Sequence, residues 1–181
     1  MSELPLLSVC PMPEADRVTT TTRIGLLLFD EVEVLDACGP FEVVTLSAPP
    51  VDLAVVPGGV TGRIEADPAV IGWIRDTAKG AIVASVCTGA FPHASAGLLD
   101  GRSATTHWED RAELRQRFPQ VDVVDGVRYL DHGDVATSAG VSAGIDLALH
   151  LVGRLAGDDL ATATARQMDY PWTREPEGAV R

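Results

Sequence analysis

The sequence predicts an α/β sandwich, a mostly parallel β-sheet with helices on both faces. Three observations carry this. Short apolar runs rich in β-branched residues alternate with stretches patterned at helical spacing. The early runs are apolar throughout, as strands covered on both faces must be. The chain has 181 residues, 46% of them hydrophobic, enough for one domain with its own core.

The elements follow in order. Residues 1–22 lack the basic start and long apolar centre of a signal peptide and read as a flexible leader. The domain spans 23–170, and 171–181 is a proline-bearing tail without pattern. "RIGLLLF" (23–29) is a buried strand, and a helix is expected from about Asp36 to Leu46. "VDLAVVPGG" (51–59) is the second buried strand, ending in a glycine pair. In "DPAVIGWIRDTAKG" (67–80), Asp67 caps a helix, Pro68 takes its first position and Gly80 stops it. "AIVASV" is the third strand, and a helix is expected from Thr88 to Gly97, with Pro92 in its first turns. "RSATTHW" supplies a strand end carrying His107, and "EDRAELRQRF" (109–118) is a polar-faced helix. Two or three short strands follow, with turns at Asp125-Gly126 and His132-Gly133. The apolar helix 143–157 ends on glycine, and "DLATATARQMDY" is the last helix.

The net charge of −12 argues against the basic footprint of a nucleic-acid binder, so no nucleic-acid partner is expected. No apolar run reaches membrane-spanning length, so no membrane partner is expected either. Cys10, Cys38 and Cys87 form neither a disulfide framework nor a zinc pattern, and a reducing cytoplasm is the simplest setting. No histidine–carboxylate cluster has metal-ligand spacing, and "PGGVTG" lacks the order of a nucleotide loop. Neither metal nor organic cofactor is expected.

Open parallel sheets gather their sites at the carboxyl ends of strands. Gly58 and Gly59, Cys87 and His107 fall at such ends, and Asp36 opens the helix after strand one on the same edge. Cys87 sits where a buried strand gives way to a helix. There, backbone N–H groups and the helix dipole favour a thiolate, and a tight turn exposes the side chain. The plain alternative is a packed structural cysteine. Asp36, between apolar neighbours, holds its proton longer than usual if shielded and could exchange it with a substrate; otherwise it is a helix cap. Gly58 and Gly59 offer backbone donors to a developing negative charge, or simply make a turn. His107 could pair with Cys87, or be a hydrogen-bonded structural residue. Glu31, Glu33 and Glu42 read as solvated.

Taken together, "LLLFDEVEVLDACGPFEV", "VDLAVVPGG", "SVCTGAFPHASAGLLDGRSATTHW" and "DVATSAGVSAGIDLALHLV" resemble the ThiJ/PfpI, or glutamine-amidotransferase-like, superfamily from about Arg23 to Tyr170. The resemblance implies a flavodoxin-like three-layer sandwich with Cys87 on a nucleophile elbow, and a homodimer. The protease branch has histidine directly after the cysteine. Here Thr88 stands there, and "CTG" with "LDACGP" is similar to the isonitrile hydratase branch. On that resemblance Cys87 is the nucleophile, Asp36 the acid/base partner, and Thr88 a neighbour positioning substrate or water.

"SATTHW" and "TSAGVSAGID" equally match the sensor domains of AraC-type regulators, but no helix-turn-helix follows residue 170. Relatives also carry a second strand and hairpin where "VVTLSAPPVDLAVV" runs straight across, which leaves strand 24–29 at a sheet edge and shortens the pocket wall and dimer contact. The expected function is cysteine-dependent hydration of a small molecule, isonitrile to N-substituted formamide. The alternatives are glyoxalase-like chemistry on an α-oxoaldehyde and a non-enzymatic redox-sensing or interaction domain.

Overall fold

The computed structural model describes residues 23–27, 30–33, 36, 51–172 and 174. The leader 1–22, most of the tail, helix positions 37–46, Cys10, Cys38 and Glu42 lie outside the described residues, as does all of the shortened connection before Val51.

Five strands form the main sheet in the order β1-β2-β3-β7-β6: β1 (Ile24–Leu26), β2 (Leu53–Val56), β3 (Ile82–Val86), β6 (Tyr129–Asp131) and β7 (Val135–Ser138). The first four in that order pair in parallel, and β6 joins β7 antiparallel. Among the described residues β1 is a sheet edge. β4 (Ser103–Ala104) and β5 (Asp122–Val123) pair with each other in a separate two-stranded sheet. "RSATTHW" therefore adds no strand to the main sheet; instead the Thr105 N–H donates to Thr137 Oγ1 of β7 at 3.0 Å.

The period of two divides the strands between two cores. Ala54, Val83 and Val135 point to one face, against Phe91, Leu99 and Leu114. Leu53, Val55, Ala84, Val86 and Ala136 point to the other, against Leu147 and Leu151. Helices α1 (Gly62–Glu65), α2 (Pro68–Thr77), α3 (Ala90–Ser95), α4 (Arg111–Arg117), α5 (Ala143–Ala156) and α6 (Asp158–Gln167) complete the described domain.

The predicted start of α2 and stop of α5 hold, whereas α2 ends at Thr77, ahead of the expected Gly80. Asp67 accepts from the Ala69 N–H at 2.8 Å with Pro68 at the first helical position, and Gly157, at φ +98°, follows Ala156. The helix expected from Thr88 to Gly97 is shorter. Cys87–Gly89 form a 3₁₀ turn, and α3 begins only at Ala90. No helix among the described residues is long and apolar enough to cross a membrane.

Candidate active site

Cys87 follows directly on β3 with φ +56°, a left-handed backbone that side-chain-bearing residues rarely adopt. Such strain persists only where surrounding contacts fix it. Here they do: the Cys87 N–H donates to the Ala139 carbonyl at 3.2 Å, and the Cys87 carbonyl accepts from Thr106 Oγ1 at 2.8 Å. Both carbonyl and N–H are held, so the turn projects the thiol as a nucleophile elbow does. Thr106 lies within "ATTHW", where nothing marks its role, because a threonine's bond to a backbone carbonyl leaves no signature in spacing.

Thr88 locks the next loop. Its hydroxyl donates to the Gly59 carbonyl at 2.8 Å and accepts from the Gly59 N–H at 2.9 Å. The Gly59 N–H is therefore already used within the protein and is not a free donor to an oxyanion. Gly58 serves by its smallness: a Cβ there would collide with the Asp36 carboxylate, lie 2.7 Å from Cys87 Cβ and 3.0 Å from the Thr88 nitrogen. These contacts bring Asp36, Gly58, Cys87 and Thr88 together at the carboxyl ends of the strands. The chain before Asp36 is strapped to the same loop. The Glu33 N–H donates to the Gly58 carbonyl at 2.8 Å, and the Val60 N–H to the Glu31 carbonyl at 3.1 Å. Glu33 is thus exposed, as expected, yet its backbone helps seat the site.

Asp36 is fully buried, and neither carboxylate oxygen has a well-formed hydrogen bond among the described residues. Burial raises its pKa to about 6, against the lowering pull of the nearby Cys87 thiol and Gly58 N–H; the charge of Glu33 adds to the rise. Asp36 is thus shielded and holds its proton above the usual carboxylate range. The thiol of Cys87 does not have the low pKa expected from the sequence. Cys87 is only 8% exposed. Burial first, then the charge of Asp36, push its thiol up to about 12, and the Thr88 N–H offsets only part of this. The physical reason is tertiary packing: burial of the sulfur and the charge of Asp36 outweigh the Thr88 N–H that the 3₁₀ turn presents.

His107 does not hydrogen-bond to Cys87. Its Nδ1 lies 3.3 Å from Asp110 Oδ2 and 3.8 Å from Glu109 Oε2, and its Cδ2 edge packs on Gly140, where a side chain would collide with it. It borders a cavity of about 340 Å³ with Trp108, Arg111, Arg128 and Ser142. Ala139, which accepts the Cys87 N–H, also lines that cavity.

A buried cysteine on a strained strand-to-helix turn, a shielded carboxylate beside it and a mostly parallel sheet covered on both faces define an α/β protein of the flavodoxin-like class. The DJ-1/PfpI family profile matches residues 41–154, and the chain belongs to that family. Isonitrile hydratase of Pseudomonas putida is 34% identical, over 82% of this chain and 78% of its own length. The HTH-type transcriptional regulator GbdR of Pseudomonas aeruginosa is 34% identical over 76% of this chain but 37% of its own length, so the chain spans about a third of that relative. Among solved structures, a ThiJ/PfpI family protein from Pseudomonas syringae superposes with a TM-score of 0.78 at 22% identity, covering 92% of this chain and 84% of that one. Drosophila melanogaster DJ-1beta superposes with 0.71 at 17% identity, covering 84% of this chain and all of that one. The fold is thereby the flavodoxin-like one expected.

The expectation that nucleic acid is excluded as a partner is corrected by these relatives. Several are HTH-type transcriptional regulators, CdhR and GlxA among them besides GbdR. The acidic charge of this stretch describes its own surface and does not exclude that class of partner for proteins built on this domain.

Proposed function

We propose that the chain is a cysteine-dependent hydratase of small molecules, with an isonitrile as substrate. The observation that carries this is the pairing of Cys87, strained at φ +56°, with the buried carboxylate of Asp36. Two acids against each other in a shielded site do not both ionise readily. Near neutral pH the pair therefore carries one negative charge, mainly on Asp36, and one proton, mainly on Cys87.

An isonitrile needs both components at one carbon. Asp36 accepts the thiol proton and delivers it to the terminal carbon while the sulfur attacks that carbon. A C–S bond and a C–H bond form, the S–H bond breaks, and the product is a thioimidate. Water adds across its C=N bond. Collapse breaks the C–S bond, the proton returns to the sulfur, and an N-substituted formamide leaves. Thr88, fixed on Gly59, holds the turn that aims the thiol. The identity to isonitrile hydratase over most of both chains supports this choice over glyoxalase-like chemistry.

Purified protein incubated with an alkyl isonitrile, and separately with methylglyoxal, tests the reading. N-alkylformamide formed by the wild type and lost in Cys87→Ala supports it. Turnover of methylglyoxal alone transfers the site to the oxoaldehyde reaction, and turnover of neither sinks the hydratase reading. The regulator relatives favour a second reading, a ligand-sensing domain in which Cys87 is not turned over.

A further inference from the structure

Arg111 opens α4 with its side chain 11% exposed, yet its Nε and Nη2 are shielded from solvent and have no acceptor among the described residues. Among the described residues its ion pair is a long contact of 3.5 Å to Asp125. That carboxylate is held more closely, at 2.7 Å, by Arg115. The guanidinium charge is therefore weakly compensated, and a carboxylate brought to the part of Arg111 that borders the cavity would balance it. Arg111 lines the cavity of about 340 Å³ beside His107, a volume suited to a small organic molecule.

The other groups around this cavity sort by charge. Arg128 is balanced by the buried Asp146, which accepts from its Nε, and its Nη2 lies 3.3 Å from Ser142 Oγ. Asp110 and Glu109 face His107, not Arg111. The poorly compensated charge at the cavity is thus the positive one of Arg111, within a chain of net charge −12. Trp108, 62% exposed, offers a flat apolar wall on the same cavity.

We propose that this cavity binds a small organic carboxylate, its carboxyl group on Arg111 and its apolar body against Trp108. The planar guanidinium matches a carboxylate's two oxygens, and the tryptophan wall favours an organic acid over a bare inorganic anion. The site adjoins Cys87 through Ala139 but needs no chemistry there.

Calorimetric titration of the full chain with 3-phenylpropionate, its neutral amide and inorganic phosphate tests this. The acid should bind saturably, and the amide and phosphate at least about tenfold more weakly. Arg111→Gln should weaken the acid by about tenfold or more while leaving the amide unchanged, with Arg111→Lys in between. Cys87→Ala should bind the acid as the wild type does, which separates this site from the hydratase reading. Because Arg111 is buried, the acid-against-amide comparison on unmutated protein stands even if Arg111→Gln fails to fold. Equal binding of acid and amide, no saturation with the acid, a preference for phosphate, or a folded Arg111→Gln with unchanged affinity would each overturn the proposal.

Discussion

Asp36 and Cys87 are two acids sharing one shielded corner, and their protons decide what the site can do. Burial holds Asp36 at about 6, above its ordinary value, so it keeps its proton more tightly in the folded chain than in the unfolded one. Its contribution to stability is therefore fullest below the unfolded value near 4 and is lost as pH rises through about 6. Asp36→Asn removes the buried charge, so its melting temperature should exceed that of the wild type at pH 8, with the gap closing toward pH 4. A gap that widens on acidification contradicts burial as the cause. The same variant should lower hydratase turnover by roughly 10²–10⁴-fold, since an amide cannot relay the proton. It should also lower the Cys87 pKa from about 12 by removing a neighbouring negative charge, so iodoacetamide at pH 8 labels Cys87 faster in Asp36→Asn than in wild type. The two acids could be placed on one sheet edge from the sequence, because each follows a parallel strand. Their balance could not be read there, because the burial that outweighs the backbone donors is set by tertiary packing.

At the level of elements, the turn at Cys87 depends on a clamp between two loops that are distant in sequence. Thr88 holds both the N–H and the carbonyl of Gly59. Thr88→Val should remove both bonds and destabilise the fold by about 1–3 kcal/mol by chemical denaturation, while Thr88→Ser should stay near wild type. Equal midpoints for the two variants would show that the clamp carries no weight. Gly58→Ala should be worse for activity than for folding, because its new methyl group would displace Asp36 and Cys87 themselves. Strands β2 and β3 and helices α2 and α5 were legible because apolar runs, a proline and terminal glycines mark them. The turn at Cys87 was legible only as a boundary. Its 3₁₀ geometry and late helix start arise from the bonds to Ala139 and Thr106, which are far away in sequence.

Over the whole molecule, two apolar cores flank the sheet and leave the strand ends free to carry chemistry. The acidic surface works against that compactness. With a net charge of −12, raising ionic strength from low salt to about 0.15 M should screen self-repulsion and raise the urea midpoint. A midpoint that falls with salt would mean that the ion pairs outweigh the repulsion. Family and fold were both legible from four motifs spread along the chain. The range of partners was not, because charge on this domain says nothing about domains joined to it in relatives such as GbdR.

If the chain is an isonitrile hydratase, the sulfur of Cys87 bonds to the substrate carbon, and a rapid-quench experiment reads that bond directly. Wild-type protein is mixed with an alkyl isonitrile, quenched in acid within a turnover, and the peptide containing Cys87 is weighed by mass spectrometry. This peptide should gain the full mass of the isonitrile, the adduct should decay as N-alkylformamide accumulates, and it should form far more slowly in Asp36→Asn. Formamide produced at an undiminished rate by Cys87→Ala, with no adduct on the wild-type peptide, would contradict it.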